Sequence, residues 1–594
     1  MKNFIPIIIC FLFTIKIFIH PQDLPRFMTD EEKQLMKTYR PPIFESGFFS
    51  PPTKPVRTMA EWEELEGIII TWTSYQSILR QIIDYAQEEG IVYIVCSDSN
   101  NVKSYLTNWN IPLYNIKFII ASFNSVWVRD YGPWCVYSDI ADSMYIIDWI
   151  YNRPRPADDL IPSIFAARQN LPLFQMTQPP YDLVATGGNF MTDGFSKGFS
   201  SKLILNENQG KTEAQIDTMM KMFMGITPYI KMDVLPFDVI HHIDMHMKLL
   251  DEETLLVGQY PTGVSDGPQI ELNLRYVLNN FQSVYGRPFR VVRIPMPPDA
   301  LGRYPSSGGD YRTYTNSIII NKTVIVPTYD LQYDTTALRI YREAMPGYNI
   351  VGINCNQIIT ALGAIHCITK EIGTREPIFI SHPPILSTAN MSGDFEVKAF
   401  IKTRTGVSNA YLHWSVDTSQ GFNSVLMKQI APDTFRAFIP RQTLNTKVFY
   451  YISATSYSGK TVTKPLTSPK GAYSFVVDSV TPVDEISSPK DFALYQNYPS
   501  PFSAQGVSSS GGNPTTTISW QSAIGSRQTI KLYDILGREI ETIVDGYYES
   551  GFHSTFCILN STLPSGVYFY QLKIVDSSNG SLIYVDTKKM IYLK

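Results

Sequence analysis

The sequence has few cysteines, little net charge and, after its first residues, no long hydrophobic run. A formal net charge of −4 over 594 residues argues against an electrostatic binder of nucleic acid. The six cysteines lie far apart without C-x-x-C spacing, which excludes a zinc finger. Because Cys10 lies in a stretch expected to be removed, five scattered thiols remain, and such a set is not a disulfide framework. No later stretch is apolar enough to span a bilayer, so we expect no transmembrane segment.

The first residues have the pattern of a secretory signal peptide. Lys2 supplies a positive start, and residues 5–13 form a short apolar run. This run is too short to span a membrane as a helix. We therefore predict a signal peptide over residues 1–23 and an exported, soluble mature protein.

The remaining sequence has the composition of a folded chain with several domains. Hydrophobic residues make up 44% and charged residues 18%, which is enough for a large core, and the 13% of aromatic residues favours β-rich structure. Changes of pattern predict four parts: an α/β domain over residues 41–375, a β-sandwich over 376–480, a linker over 481–490 and a small all-β domain over 491–594.

Five polar clusters recur in the α/β part, each beside a hairpin-like pattern. They are WVRDYGPW (127–134), TGGNFMTDG (186–194), HHIDMH (241–246), YTN (314–316) and GAIHCITK (363–370). Helical patterns, such as those over 74–90 and 211–223, alternate with β-like runs. Five such units predict a repeat around one central site.

The cluster HHIDMH is the densest of the five. On a strand, His242, Asp244 and His246 would share one face. Three interpretations stay open: a metal site, since imidazole and carboxylate both bind zinc; polar residues at a strand end; or an acid/base pair in one pocket.

Two other clusters combine turn residues with groups that can meet a ligand. Gly132 and Pro133 break the chain after Asp130, which therefore either faces a cleft or caps a turn together with Arg129. The paired glycines of TGGNFMTDG permit close approach of a ligand, although taken alone they are better explained by a hairpin turn.

The segment YNRPRPADD places two arginines among prolines. In an extended chain Arg153 and Arg155 point to one side, an arrangement that suits a clamp for a carboxylate. A solvated basic loop is the alternative.

In GAIHCITK, Cys367 is a buried thiol, a metal ligand or a nucleophile. The adjacent His366 would point away from it on a strand. A nucleophilic thiol needs a proton partner, which His242 can supply. Asp130 and Asp244 in the same pocket would repel an anion and would orient a planar cation with several N–H donors, such as a guanidinium. The four residues together are a coherent set for attack on a guanidinium carbon.

With these residues in place, the α/β part resembles a known superfamily. Residues 41 to about 374 resemble the guanidine-modifying (pentein) superfamily and, within it, the agmatine deiminase and Porphyromonas-type peptidylarginine deiminase family. The matching segments are EWEELEGIIITW, WVRDYGPW, TGGNFMTDG, HIDMHMKLLDE, RIPMPP, YTNSIIINKTVIVP and GAIHC. The resemblance implies a five-bladed α/β propeller of ββαβ-type units around one active site, without a cofactor or a metal.

The resemblance also implies roles for single residues. Cys367 is implied to be the nucleophile and His242 the general acid/base, while Asp130 and Asp244 bind the guanidinium. The residues implied to contact or surround the rest of the substrate are Trp127 against its aliphatic stem, Asn189 and Asn316 near the active site, and Arg153 and Arg155 on the α-carboxylate of a C-terminal arginine. The expected reaction is hydrolysis of peptidyl arginine, C-terminal arginine above all, to citrulline and ammonia. An agmatine deiminase, a non-catalytic surface binding protein and a Cys–His protease are the alternatives.

The rest of the chain resembles the secreted branch of this family. Residues 376–480 resemble its immunoglobulin-like domain, and residues 491–594 resemble a type IX secretion sorting domain through ALYQNYPSPF, KLYDILGREI, LPSGVYFYQL and KKMIYLK. The stretch SAQGVSSSGG interrupts that pattern after NYPSPF. The resemblance implies two kinds of partner, arginine-terminated peptides or proteins and the type IX secretion machinery. It implies a protein that is secreted, or attached to the outer cell surface, after export through the periplasm.

Overall fold

The computed structural model describes residues 24–261, 263–387, 393–477, 492–497, 502–503, 515–548, 551–558, 563–576 and 580–593. The predicted signal peptide and linker lie outside these ranges. The chain separates into two compact units, Met1–Ser479 and Val480–Lys594.

The α-helices of the described ranges all lie in the first unit. They are Asp30–Met36 (α1), Gln76–Glu89 (α2), Ser99–Asn108 (α3), Val128–Tyr131 (α4), Pro156–Asp159 (α5), Ile161–Gln169 (α6), Leu203–Asn206 (α7), Glu213–Met224 (α8), Gly267–Asn280 (α9) and Leu331–Ala344 (α10). Helices α2 and α8 confirm the two helical patterns. Helix α8 begins at a capping box formed by Thr212 and Gln215 and ends at Gly225 in the left-handed conformation, which glycine adopts without steric cost.

Eighteen strands of the described chain lie between residues 56 and 373. They are Val56–Thr58 (β1), Leu65–Thr71 (β2), Ile91–Cys96 (β3), Ile116–Ile120 (β4), Trp134–Ser138 (β5), Met144–Tyr151 (β6), Leu173–Met176 (β7), Val184–Ala185 (β8), Met191–Thr192 (β9), Gly198–Ser201 (β10), Tyr229–Met232 (β11), Met247–Leu249 (β12), Thr254–Gln259 (β13), Arg290–Pro295 (β14), Ile318–Ile320 (β15), Thr323–Thr328 (β16), Asn349–Asn354 (β17) and Lys370–Gly373 (β18).

These strands form five separate sheets that repeat one plan. Their orders are β1-β5-β6-β7 with β8 beside β6, β11-β10-β9, β12-β13-β14, β15-β16-β17 and β18-β2-β3-β4. In each sheet a strand pairs antiparallel with one neighbour and parallel with another. The connection between the two parallel strands contains α2, α6, α8, α9 or α10. The α/β fold and the five-unit repeat agree with the sequence. No sheet closes on itself within the described ranges, and the five-bladed propeller stays a prediction.

The polar clusters occupy short turns in front of the first antiparallel strand of each unit. Helix α4 precedes β5, and short 3-10 helices at Gly187–Asn189, Ile243–Met245 and His366–Ile368 precede β9, β12 and β18. The one-face arrangement that a strand would give HHIDMH and GAIHC therefore does not apply. A single tight turn lets neighbouring side chains reach one point, whereas a strand alternates them between two faces.

The all-β prediction for the chain beyond residue 375 agrees with the structure. In the first unit the strands are Phe379–Ser381 (β19), Phe395–Lys402 (β20), Val407–Ser415 (β21), Asn423–Leu426 (β22), Lys428–Ala431 (β23), Thr434–Ile439 (β24), Lys447–Ser456 (β25), Thr461–Lys464 (β26) and Tyr473–Val476 (β27). They form two sheets, β19-β20-β24-β23 and β22-β21-β25-β26 with β27 beside β25, around one shared apolar core. Alternating burial along β20 and β25 reflects the period of two that sheets require. Membership of the immunoglobulin-like class stays a prediction.

The second unit contains its own β core. Its strands are Ala493–Leu494 (β28), Phe502–Ser503 (β29), Thr515–Ser522 (β30), Ser526–Tyr533 (β31), Glu539–Tyr548 (β32), Gly551–Ile558 (β33), Gly566–Val575 (β34) and Leu582–Leu593 (β35). They form the sheets β28-β30-β33 and β29-β35-β34-β31-β32. Its role as a sorting domain stays a prediction. In the part of the chain that the structure describes, no helix is long and apolar enough to cross a membrane.

Candidate active site

An arginine of the chain itself, Arg26, lies where the polar clusters meet. Its Nε and Nη2 each donate to one oxygen of Asp130 at 2.9 Å. Its Nη1 and Nη2 lie 3.5 and 3.3 Å from the two oxygens of Asp244. Nη1 is also 2.6 Å from the sulfur of Cys367. The pocket therefore holds a planar guanidinium between two carboxylates and presents a thiol to it.

Cys367 lies on a tight turn that buries its sulfur completely. Asn316 supports this turn, because its side-chain oxygen accepts from the Cys367 thiol at 3.3 Å and from the His366 amide at 3.1 Å. Burial raises the pKa of the Cys367 thiol well above its usual range, and the cation of Arg26 opposes that effect. At neutral pH the thiol therefore keeps its proton until a base removes it.

His242, the predicted general acid/base, lies in the same pocket. Its ring is fully buried, and neither ring nitrogen has a hydrogen-bond partner among the described residues. Its Nδ1 lies 3.6 Å from Asp130. Burial and the neighbouring Arg26 lower the pKa of His242 to about 3, so the imidazole is neutral at pH 7 while Arg26 occupies the pocket.

The carboxylates of Asp130 and Asp244 are ionised beside Arg26. Burial raises their pKa values, but Arg26 and His242, joined at Asp244 by His366, together oppose burial and hold the pKa of both Asp130 and Asp244 below the usual range. The backbone N–H of Gly188 also donates to Asp130, at 3.2 Å. An ionised pair of this kind selects a cation.

His366 supports Asp244, a role that the sequence prediction missed. It lies on a 3-10 helix rather than a strand, with Nδ1 2.8 Å from Asp244 and Nε2 2.9 Å from Glu61. Glu61 is held in turn by Lys248 at 2.7 Å. His366 therefore orients one of the guanidinium-binding carboxylates. The only signal in the sequence is Glu61 within EWEELEG, and nothing local connects it with His366.

The backbone carbonyls of residues 24–26 accept hydrogen bonds from Trp127, Arg155 and Arg153. Arg153 Nε donates to the Arg26 carbonyl at 3.0 Å, and Arg155 Nη2 donates to the Pro25 carbonyl at 2.7 Å. The buried Trp127 donates from its indole to the Leu24 carbonyl at 2.7 Å. Both arginines are buried, so the alternative of a solvated basic loop is wrong.

The structure does not bring Asn189 or His246 to the guanidinium. The amide of Asn189 pairs with the backbone of Ser201 in both directions, at 3.3 and 2.8 Å, and so fixes the turn that carries Gly188. His246 is buried, and within the described ranges its ring has no hydrogen-bond partner. No group of three His, Cys, Asp or Glu side chains that could hold a metal occurs in those ranges.

Gly188 allows the guanidinium to approach the turn, and it provides a first test of the pocket. A Cβ at this position would overlap Nη2 of Arg26 and would lie 2.6 Å from Nδ1 of His242 and 2.9 Å from Asp130. Because a displacement of about 1 Å at a reacting centre can cost about 10²-fold, Gly188→Ala is expected to lower kcat/KM for a guanidinium substrate by at least about 100-fold. Ammonia release measures it.

Gly210→Ala is the matched control, because no atom lies within 4 Å of a Cβ built there. It should leave the rate unchanged. Equal rates for the Gly188 and Gly210 variants would show that the guanidinium of a substrate binds elsewhere.

Comparison with known proteins agrees with this chemistry. The sequence model of the family described as Porphyromonas-type peptidyl-arginine deiminase matches residues 57–372. A putative agmatine deiminase of Vibrio parahaemolyticus is 26% identical over 289 residues, which cover 43% of this chain and 78% of the relative. A putative agmatine deiminase of Mycoplasma mycoides is 24% identical over 289 residues, with 43% and 77% covered. Among solved structures, the putative arginine deiminase of Porphyromonas gingivalis is 22% identical with a TM-score of 0.48, and the match covers 54% of this chain and 98% of that one.

Proposed function

Because this chain belongs to the Porphyromonas-type peptidyl-arginine deiminase family, we propose that it hydrolyses peptidyl arginine to peptidyl citrulline and ammonia. The family makes it a hydrolase of amidine C–N bonds, and the choice of substrate is the proposal. One observation carries it: the guanidinium between Asp130, Asp244 and Cys367 belongs to a residue within a polypeptide, and Arg153 binds the carbonyl of that residue.

Arg153 and Arg155 favour a peptide substrate over a free amine. Arg155 binds the carboxylate of Glu32 through two nitrogens, at 2.7 and 3.1 Å, which is the geometry that a carboxylate offers to a guanidinium. With Arg153 beside it, this group suits the α-carboxylate of a C-terminal arginine. Agmatine has neither a carbonyl nor a carboxylate, so it would replace neither the carbonyl that Arg153 Nε binds nor the carboxylate that Arg155 binds. The relatives named as agmatine deiminases make agmatine the rival substrate.

The reaction uses the four central side chains in two steps. His242 takes the proton of the Cys367 thiol while the sulfur bonds to the guanidinium carbon. It then gives that proton to the amino group that leaves as ammonia, and a thiouronium cation on sulfur remains. In the second step water adds its hydroxyl to the carbon and its proton to His242. The C–S bond then breaks, His242 returns its proton to the sulfur, and the proton of the added hydroxyl passes to ammonia, which leaves a neutral ureido group.

The sum of the two steps is guanidinium plus water giving a ureido group plus ammonium. Asp130 and Asp244 hold the nitrogens so that the carbon faces sulfur, and this orientation supplies much of the rate. Both carboxylates keep their charge while a guanidinium lies between them, as the lowered pKa values beside Arg26 indicate.

Secretion is the remaining part of the proposal. It rests on the signal-like residues 1–23 and on the likeness of residues 491–594 to a type IX sorting domain. Export would bring the site to peptides with exposed C-terminal arginine outside the cell. Fractionation of cells that make the full chain tests this, with the protein expected outside the inner membrane, whereas retention in the cytoplasm would contradict it.

Arg155→Ala tests the substrate assignment. Loss of a charge-assisted bidentate contact, about 1.5–3 kcal/mol, should lower kcat/KM for a peptide ending in arginine by about 10–100-fold relative to agmatine. The measurement is the ratio of kcat/KM for the peptide to kcat/KM for agmatine, because effects common to both substrates cancel in this ratio. Arg168→Ala, on the exposed face of α6, is the matched control and should leave the ratio unchanged. An Arg155 variant that loses agmatine turnover to the same extent would contradict the peptide assignment.

A further inference from the structure

We propose that residues 24–37, here called the N-terminal segment, are an intramolecular inhibitor that mimics an arginine substrate. The proposal rests on the proposed function, since it assigns the occupant of the same site. Arg26 is 0% exposed and takes the position between Asp130, Asp244 and Cys367 that a substrate guanidinium requires. Two guanidinium groups cannot share that pocket, so a substrate can enter only when Arg26 has left.

The segment also supplies a carboxylate to the clamp. Glu32 binds Arg155 through both oxygens, at 2.7 and 3.1 Å, as we propose for the α-carboxylate of a C-terminal arginine. Helix α1 holds Glu32 in place through a capping box in which the Thr29 hydroxyl accepts from Glu32 N–H and the Glu32 carboxylate accepts from Thr29 N–H. Arg26 and Glu32 therefore present both charged ends of the proposed substrate at once.

The hydrogen bonds that join this segment to the rest of the protein lead almost entirely to the site. Besides the contacts of Arg26 and Glu32, the carbonyls of Leu24, Pro25 and Arg26 accept from Trp127, Arg155 and Arg153 respectively. The Arg26 amide donates to the Ala361 carbonyl, at 3.2 Å, close to the turn that carries Cys367. A segment that served only to complete the fold would have no need to place a buried cation on a nucleophile, since burial of a charge is costly.

Weak apolar anchoring makes the segment removable. Phe27 is 37% exposed and Leu35 is 58% exposed, and only Arg26 and Glu32 of the segment are buried, so none of its apolar side chains is anchored in the core. The segment is held chiefly by charge–charge contacts inside the pocket, and a competing peptide with the same charges can replace them. Inhibition of this kind raises KM in inverse proportion to the open fraction and leaves kcat nearly unchanged.

Burial explains why the segment inhibits rather than reacts. Arg26, Cys367 and His242 are all fully buried while the segment is bound. The second step of the reaction needs a water molecule at the carbon that sulfur has attacked, and the closed pocket gives solvent no route to that carbon. The bound arginine thus blocks the site instead of turning over.

The first experiment compares Arg26→Ala with Arg40→Ala in the full chain. Arg40 is an exposed arginine of the same stretch and is the matched control. For a short peptide ending in arginine, Arg26→Ala should lower KM by at least about tenfold with kcat little changed, and Arg40→Ala should behave like wild type. Glu32→Gln should shift KM in the same direction by less. A second readout needs no catalysis: iodoacetamide should alkylate Cys367 at least about tenfold faster in Arg26→Ala, because Arg26 covers the sulfur.

The second experiment adds the segment back. A synthetic peptide of residues 24–37 should inhibit Arg26→Ala competitively, and the same peptide with alanine in place of Arg26 should not. Wild-type KM and wild-type alkylation in folded Arg26→Ala and Glu32→Gln would overturn the proposal, and so would citrulline at position 26 in the mass spectrum of the wild-type protein. If neither the wild type nor Arg26→Ala releases ammonia but their alkylation rates differ, the proposed reaction is wrong. The conclusion that Arg26 covers Cys367 would then still hold.

Discussion

Cys367→Ser is expected to abolish ammonia release from peptides that end in arginine, with a loss in kcat of at least about 10⁴-fold. The sulfur is the atom that approaches the guanidinium, 2.6 Å from Nη1 of Arg26. A serine hydroxyl holds its proton far more tightly than a thiol, and the buried pocket disfavours the anion further. The variant should still bind the peptide, which titration calorimetry measures, because Asp130 and Asp244 remain.

The control for this change is Cys96→Ser, which alters another buried thiol on β3, away from the site. It should keep wild-type kcat after correction for the folded fraction. Turnover by Cys367→Ser within tenfold of wild type would remove the nucleophile assignment. Labelling of Cys367 by a thiol-reactive amidine in the active protein would exclude a surface binding protein without chemistry.

Asp130→Asn is expected to have the second largest effect. Asp130 accepts from two nitrogens of the guanidinium, and an amide of the same shape offers one acceptor and an opposing N–H₂ group. Removal of one partner of a buried ion pair costs about 3–5 kcal/mol, which corresponds to about 10²–10³-fold or slightly more in kcat/KM. Steady-state kinetics with a peptide ending in arginine measure it.

Asp142→Asn is the control for that variant, because Asp142 pairs with the exposed Lys54. Surface pairs of this kind contribute about 0–1 kcal/mol, so wild-type kinetics are expected. An Asp130→Asn enzyme with wild-type kcat/KM would mean that the carboxylate does not bind the substrate cation, and the ion pair with Arg26 would then be structural alone.

The order of helices, strands and turns in the α/β region is predictable because each element has a local hydrophobic or polar pattern. Helix α2 buries Ile78, Ile82, Ile83 and Ala86 on one face, as its spacing predicts. The polar clusters lie before hairpins in sequence and in space. Asp130, the pair His242 and Asp244, and Cys367 meet because their clusters precede the first antiparallel strand of three different units, so one repeat brings three distant segments together.

The conformation of the polar clusters was not predictable from alternation alone. On a strand at 241–246, His242, Asp244 and His246 would share one face, but a 3-10 turn forms there instead. The turn brings His242 and Asp244 to the pocket and leaves His246 elsewhere. The support that His366 gives to Asp244 depends on a contact across 122 residues, which has no local signal.

Arg26 was the least predictable part of the site. It is a single arginine beside a stretch that reads as a leader, without periodicity or a motif. Its contacts with Asp130 and Cys367 cross 104 and 341 residues. Only the fold shows that an arginine of the chain itself lies between Asp130 and Cys367.

Ammonia release by the full chain and by Arg26→Ala, with agmatine, a peptide with internal arginine and a peptide ending in arginine as parallel substrates, tests the substrate and the role of Arg26 together. The account predicts that both proteins convert the peptide ending in arginine with the highest kcat/KM, that Arg26→Ala does so at lower KM, and that agmatine is converted least. Agmatine turnover with an equal or higher kcat/KM in both proteins would contradict it.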